Sequence, residues 1–509
     1  MSFHHFTADQ LLPLLISFPL LMGAILLFQL GKLKFSILFL FLGTLMLGFF
    51  MANLDPFLIL WDEQYHAMVA KNLGTEPFKP MLYKHPFIAY DFKNWTSNHI
   101  WLHKQPFFLW QMALSIKLFG NNEIAVRLPS IIMHALTAIM IFRIGKISVN
   151  QNVGFYGALF FAVAYYPLEL IAGRYSTDHN DVAFLCYVTA SLWAWFEYQR
   201  SKKLSYLICI GLFSGIAVLI KWLVGLLVYA VWFISMFATN PKQLSNIKSY
   251  LPLLLSFSIS LLTFLPWQIF ILQQYPLEAN YEFGFNTRHF FEPLEGHGGD
   301  IWFHIQAFKV IYGSGFFIPF IYLLGFIILA VLITYIFYSL AATKMVSFCI
   351  IVAPFFFLGM GALFHQAYQL LKLKIQNRTI LNVIFSSTAI LTCVFLLNLQ
   401  KIQNYHTNWK PTDNCNRADE LAQMKFIETL IQELGNEKYV IFNADIRAQG
   451  HIAVMFYTDY VAYNITPSLA EIEKIKRQGY KIAILDRQNL PDYIESNNEI
   501  VKFNALDFK

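Results

Sequence analysis

Apolar and polar positions divide the chain into two regimes. Up to about residue 400, long apolar runs alternate with short polar turns; beyond it, apolar positions recur in short alternating or helical patterns. Ten runs in the first regime lie at about 11–30, 35–53, 125–142, 153–171, 182–199, 204–220, 222–238, 251–272, 346–368 and 379–399. Each approaches the roughly 20 residues a helix needs to cross the hydrocarbon core of a bilayer. Residues 301–343 read either as one long span or as a hairpin of two that turns near Gly325. The hairpin brings the total to about twelve spans.

The charges in the turns order these runs. Lys32 and Lys34, Arg143 and Lys146, Arg200 with Lys202 and Lys203, and Lys372, Lys374 and Arg378 all fall on one side of an alternating topology. Basic loops stay in the cytoplasm, so that side is the inner one. The loop 54–108, the turn Gly173–Asp181, the loop Gln273–Asp300 and the region beyond 400 are then expected outside. Every chemically rich polar stretch collects on that face.

Shorter patterns fill in the rest. Trp61, Tyr65, Met68 and Leu73 recur at roughly helical spacing, which predicts an amphipathic helix over Asp62–Leu73 lying on the membrane face. Phe107–Phe119 is apolar but too short to span and reads as a second surface helix. Past residue 400, ADELAQMKFIETLIQEL and LAEIEKIKRQG read as helices, and YVIFN, VAYNIT, KIAIL and EIVKF as short strands. The expected organisation is a transmembrane domain over 1–400 and a small soluble α/β domain over 401–509.

Composition narrows the class. The chain of 509 residues is 57% hydrophobic and 13% charged, with mean hydropathy +0.49, against about 25% charged residues in soluble proteins. A net charge of +6 suits cytoplasmic lysine loops better than a nucleic-acid surface. The five cysteines are scattered without a C-x-x-C, so neither a disulfide framework nor a zinc site is expected. No basic residue precedes the first apolar run and another follows at once, which reads as a span, not a cleaved leader. No G-x-G-x-x-G occurs, so nothing points to a nucleotide site.

The outer polar stretches carry the candidate chemistry. Asp62 and Glu63 adjoin at the start of the predicted helix, where a carboxylate at the membrane face can act as a general base; the plainer reading is an acid favoured by the helix dipole. Lys104, after His103, is placed to meet a phosphate as a point charge, or else snorkels to the surface. Arg174, Asp178 and Asp181 sit between two runs, where a second carboxylate could orient a base or an acceptor. Lys221 interrupts an apolar stretch, and an ionisable residue at that depth is a functional candidate by default. Arg288 and His297 lie in a loop whose glycines allow close backbone approach to a ligand. His103 and His297 supply only two neutral ligands where a stable site wants three or four, so no metal is required, although a divalent ion is compatible.

These residues carry a resemblance. The chain resembles GT-C glycosyltransferases of the branch that holds protein O-mannosyltransferase-like enzymes and the bacterial aminoarabinose transferases acting on lipid A. The matching pieces are WDEQYHAMVAKNL from Trp61, HKQPFFLWQMALSIKLFGNNEIAVRLPS from His103, GRYSTDHNDVAF from Gly173 and AVLIKWLVGLLVY from Ala217. LPWQIF from Leu265, NTRHFFEPLEGHGGDIWFH from Asn286 and SLAATKMVSFCIIVAP from Ser339 follow in family order. The resemblance implies a GT-C-like fold, a polyprenyl-phosphate sugar donor, inverting transfer and an extracytoplasmic site. It puts Asp62 at the catalytic carboxylate, Lys104 at the donor phosphate, and His103 and His297 on the site wall. The second acidic position aligns with either Asp178 or Asp181. Gln105 stands where the family has the first proline of a pair.

The expectation is therefore a multi-span α-helical membrane protein of GT-C type with a small C-terminal α/β extracytoplasmic domain. Its activity would be transfer of a sugar from a polyprenyl phosphate to a lipid, glycan or protein, at the periplasmic side of a bacterial inner membrane. Asp62, Asp178 and Asp181 are the catalytic candidates. Glu63, Tyr65, His103, Lys104, Arg174, Lys221, Arg288 and His297 are the substrate contacts. Membrane lipids are expected partners and nucleic acid is not. A transporter or flippase of lipid-linked sugars is the alternative, but it does not explain why the polar residues gather on one face and not at the midplane.

Overall fold

The computed structural model describes residues 6–239, 246–312, 325–408 and 416–508. The chain groups into two compact units. A helical unit comprises Met1–Ala52, Lys104–Phe108 and Ser130–Leu399, and a mixed unit comprises Asn53–His103, Leu109–Pro129 and Gln400–Lys509.

Among the described residues of the chain, seven helical stretches are long and apolar enough to cross a membrane: Ala8–Gln29, Leu33–Ala52, Glu123–Ser148, Leu204–Ala238, Ile247–Gln274, Val346–Lys374 and Arg378–Asn408. An eighth is added if Gln151–Ala162 and Tyr165–Ile171, bent by 51°, form one broken span. This is a multi-pass membrane protein. Leu12, Leu15, Leu254, Leu262 and Leu391 are exposed on these helices, as side chains facing lipid tails are.

Polar residues mark where helices begin. Thr7 and Gln10 close a capping box at the first, and the Asn150 side chain accepts from the N–H groups of Asn152 and Val153. Glycines let helices meet closely. A Cβ on Gly154 would come within 2.3 Å of the Phe142 carbonyl oxygen, and one on Gly361 within 2.5 Å of the Val153 carbonyl oxygen.

The run Leu204–Ala238 is not one rod. Trp222 has φ 59°, and the Ser214 hydroxyl donates to the Gly225 carbonyl at 2.8 Å. Residues eleven apart in a straight helix would be separated by about 16 Å, so the backbone reverses at Trp222, where the sequence divides the run in two. The helix Asp178–Ser201, expected to span over 182–199, has the length but is not among the seven. Its positions from Asp178 to Cys186 are all buried; a helix enclosed by protein needs no apolar surface. Whether 301–343 is one span or a hairpin turning near Gly325 rests on residues 313–324, which lie outside the described residues; the helix Gly325–Leu340 follows them.

In the mixed unit, β1 (Tyr439–Phe442), β2 (Val461–Ala462), β3 (Lys481–Asp486) and β4 (Ile500–Asn504) form a parallel sheet in the order β2-β1-β3-β4. Val440 pairs with both Val461 and Ile482, and Ile482 with Ile500. Helices Arg417–Leu434 and Leu469–Arg477 start at capping boxes on Asn416 and Ser468. The helix Gly450–Tyr457 lies between β1 and β2 and packs against Asp62–Leu73. The Lys71 ammonium donates to the carbonyls of Met455, Phe456 and Thr458 at that helix's C-terminus.

The predicted helix Asp62–Leu73 is present, but its setting differs from a surface helix. Every residue from Glu63 to Ala70 is buried, so it presents no face to lipid. Apolar spacing along a helix reports which positions are covered, and here the polar positions are covered too.

Candidate functional site

Within the mixed unit, the two adjacent carboxylates have separate fates. Glu63 is buried, and its oxygens accept from Arg127 Nε at 2.7 Å, Arg127 Nη2 at 3.0 Å and Ile59 N at 2.6 Å. Arg127 also donates to the carbonyls of Asp55 and Phe57, both at 2.8 Å. The guanidinium thus ties the approach to the helix, residues 55–59, to the helix's second residue. The Asp62 side chain is 17% exposed, with His66 Nε2 3.8 Å from its Oδ1. Trp61, just before it, has φ 73°, a left-handed conformation costly for a bulky side chain.

Tyr65, one turn on, donates its hydroxyl to Gln449 Oε1 and meets Trp95 edge-on at 4.9 Å. Burial, then the carboxylate of Asp445, raises its phenol pKa well above the ordinary range. The His103 ring stacks on Trp95 at 4.7 Å and 6° and meets Trp101 edge-on at 5.7 Å. Two indoles therefore fix its orientation.

Within the helical unit, the turn before Asp178–Ser201 gathers a second group. Lys221 pairs with Asp181, and its ammonium lies 4.6 Å from the Phe348 ring centroid. The Thr177 hydroxyl donates to Asp181 and lies 3.0 Å from Ser347 Oγ. Asp178 takes the His179 N–H, His179 Nδ1 lies 2.9 Å from Ser130 Oγ, and Asn180 donates to the Ile220 carbonyl at 3.1 Å. Arg174 Nη1 is 3.4 Å from Glu169, both side chains fully buried. Thr177 and Asp178 have φ 68° and 23°, and Trp222 follows Lys221 with φ 59°. A charge inside such a unit is carried by pairing; Lys221 does this with Asp181 and does not snorkel.

Lys104 belongs to the same unit. The Gln105 side chain accepts from Gln268 Nε2 at 2.8 Å, which ties this turn to the helix Leu251–Gln274. Glu282, on the helix Pro276–Phe291, is buried; burial pushes its pKa up to about 7 against the opposing charges of Lys104 and His289. His289 Nδ1 lies 3.0 Å from Thr343 Oγ1, and the His297 carbonyl accepts from Lys344 N at 3.0 Å. Arg288 pairs with Glu292 one turn on, with both side chains 51% exposed. It is a surface ion pair.

The structure thus brings Asp178, Asp181 and Lys221 into one group, and Asp62, Glu63 and Tyr65 onto one helix. It holds Arg174 and Arg288 in ion pairs of their own. Sequence reading passed over Arg127, Thr177, Ser347 and Glu282. Arg127 carried a signal, because it is an ionisable residue within an apolar run, as Lys221 is. Thr177 and Ser347 carried none. Among the described residues, no three His, Cys, Asp or Glu side chains come together so as to hold a metal ion.

Comparison with known proteins places the fold. Residues 103–270 match the family described as dolichyl-phosphate-mannose-protein mannosyltransferase. An uncharacterized protein of Aquifex aeolicus (strain VF5) is 28% identical over 218 residues, 42% of this chain; the match spans 42% of that relative's length. The crystal structure of ArnT from Cupriavidus metallidurans bound to undecaprenyl phosphate superposes with TM-score 0.60 at 12% identity, covering 91% of this chain and 88% of that one. The same protein in the apo state gives 0.59 at 14%, covering 84% and 90%. AglB, an oligosaccharyltransferase of Archaeoglobus fulgidus, in complex with an inhibitory peptide and a dolichol-phosphate, gives 0.54 at 12%, covering 88% and 69%. The fold is the GT-C architecture that the sequence resemblance implied, with a small C-terminal α/β region of four parallel strands.

Proposed function

We propose that this protein is an integral-membrane glycosyltransferase. It moves a sugar from a polyprenyl-phosphate donor to a lipid, glycan or protein acceptor on the extracytoplasmic face, with Asp62 as general base. The observation that carries the reading is where the backbone departs from ordinary conformations. Of the ten non-glycine residues with left-handed φ among the described residues, four lie here: Trp61 before Asp62, Thr177 and Asp178 themselves, and Trp222 after Lys221. Each costs on the order of 1–3 kcal/mol, and such strain persists where a side chain must be held in place for function. Of the two adjacent carboxylates, only Asp62 is partly exposed.

The chemistry follows from the groups present. Departure of a lipid phosphate needs positive charge where negative charge grows, and Lys104 is assigned to it. The acceptor needs a base on the opposite face of the sugar, the inverting arrangement known from glycoside hydrolysis. Asp181 holds Lys221, and the pair orients the turn that carries Asp178. The extracytoplasmic placement rests on the basic residues of the opposite turns.

The test is sugar transfer from a synthetic polyprenyl-phosphate donor by purified variants in nanodiscs. Asp62→Asn keeps size and most hydrogen bonding but cannot take the proton; transfer should fall by about 10²–10⁴-fold with lipid binding retained. Lys104→Ala should cost about tenfold or more, the worth of one charge-assisted hydrogen bond. Transfer by Asp62→Asn at the wild-type rate would overturn the assignment, and a transporter would show no transfer at all.

A further inference from the structure

A cavity of about 260 Å³ opens at the carboxyl ends of β1 and β2; none of the residues assigned above lines it, although Tyr65 holds one of its lining side chains, Gln449, through its hydroxyl. In parallel α/β sheets this end is where ligands bind. One wall comes from residues 83–97 and includes Tyr83, Tyr90, Asn94 and Thr96; the other includes Gln449, His451, Tyr463 and Asn464.

The walls are built, not left open by loose packing. The Tyr83 ring stacks on Tyr463 at 5.0 Å and 8°. The Tyr463 hydroxyl accepts from Phe87 N at 2.8 Å, and Lys474 Nζ donates to the Phe87 carbonyl at 2.9 Å. On the opposite side, Asp445 takes the N–H groups of Gln449 and His451 at 3.1 and 2.7 Å, and its Oδ1 lies 2.8 Å from His451 Nδ1. With Nδ1 engaged, Nε2 is the ring nitrogen a ligand would meet.

The lining selects a chemical class. None of its thirteen residues is Lys, Arg, Asp or Glu. A phosphate or carboxylate entering it would lose hydration with no cation to repay it. A purely apolar ligand would strand the amides and hydroxyls. An uncharged sugar satisfies both halves: its hydroxyls pair with Asn, Gln, Thr and His, and its C–H faces lie on tyrosine. The volume is just under the roughly 300 Å³ at which sites for drug-sized ligands begin, which suits a single ring.

We propose that this cavity is a subsite for one uncharged sugar residue, and that the sugar belongs to the acceptor; the second half rests on the transferase reading above. The experiment is saturation-transfer NMR on the full-length protein in nanodiscs. The probes are methyl α-mannopyranoside, methyl β-glucopyranoside and N-acetylglucosamine, with mannose 6-phosphate and glucuronic acid as charged counterparts. At least one neutral sugar should receive saturation and the charged pair none. Asn464→Ala and Ala89→Trp, at exposed positions lining the cavity, should each weaken that binding tenfold or more. No transfer to any neutral sugar, or transfer unchanged in both variants, overturns the subsite. Donor cleavage measured alongside separates the two readings. Cleavage without sugar binding removes the subsite and leaves the transferase, while sugar binding without cleavage does the reverse.

Discussion

Glu63 and Asp62 are neighbours whose substitution should fail in opposite ways. Glu63 and Arg127 form a buried pair in which the guanidinium also holds two backbone carbonyls. Removing one partner of a buried pair costs about 3–5 kcal/mol, because the other is left charged without compensation. Glu63→Gln and Arg127→Met should therefore lower the unfolding temperature in detergent by several degrees or more, read by tryptophan fluorescence. Asp62→Asn should leave that temperature near wild type while removing transfer. The adjacent acids were legible in the sequence as a candidate pair; the burial of Glu63 against Arg127 was not. It depends on Arg127, sixty-four residues further on, and no local pattern reports a partner at that distance. Arg288 shows the converse. Loop glycines and basic charge made it a candidate, while its local i,i+4 partner Glu292 accounts for it.

Helix Pro276–Phe291 should make stability depend on pH through Glu282. Its pKa in the folded protein is pushed from the ordinary 4.5 up to about 7, so the folded state keeps a proton that the unfolded state gives up between these values. Stability then falls as pH rises through that window, by up to about 3 kcal/mol at 1.36 kcal/mol per unit. Glu282→Gln should be more stable than wild type at pH 8 and equal to it at pH 4, measured by thermal unfolding at both. Most element boundaries were legible, because spans, capping residues and strand alternation are local. The four strands lie where their apolar runs lie, and the run at 204–238 reverses where Lys221 interrupts it. The helix Gly450–Tyr457 was not read. It is eight residues long and buried from Gly450 to Phe456, too short for periodicity to separate it from a buried strand. The covering of Asp62–Leu73 on all sides was equally hidden, since periodicity marks apolar positions and says nothing of what covers polar ones.

At the scale of the molecule, the basic turns predict that the loop 54–108 and the C-terminal region lie outside. A thiol placed by Ser97→Cys, in a chain whose other cysteines are replaced, should react with an impermeant maleimide in intact spheroplasts. Reaction only after the membrane is opened would reverse the topology. Composition changes near residue 400, but it does not report the joining of 53–103 to 400–509, because composition carries no information on which distant segments pack together. That joining has a consequence for how the protein is made. Asp55 meets Arg417, and Lys71 meets the carbonyl of Thr458, 387 residues on. At about 5–20 residues per second of synthesis, the early segment waits roughly 20–80 s for the late partners of Asp55, Tyr65 and Lys71. During that wait it must be sheltered by a chaperone or be cut. A ribosome stalled near residue 400 should leave 53–103 open to added protease, and release of the finished chain should close it.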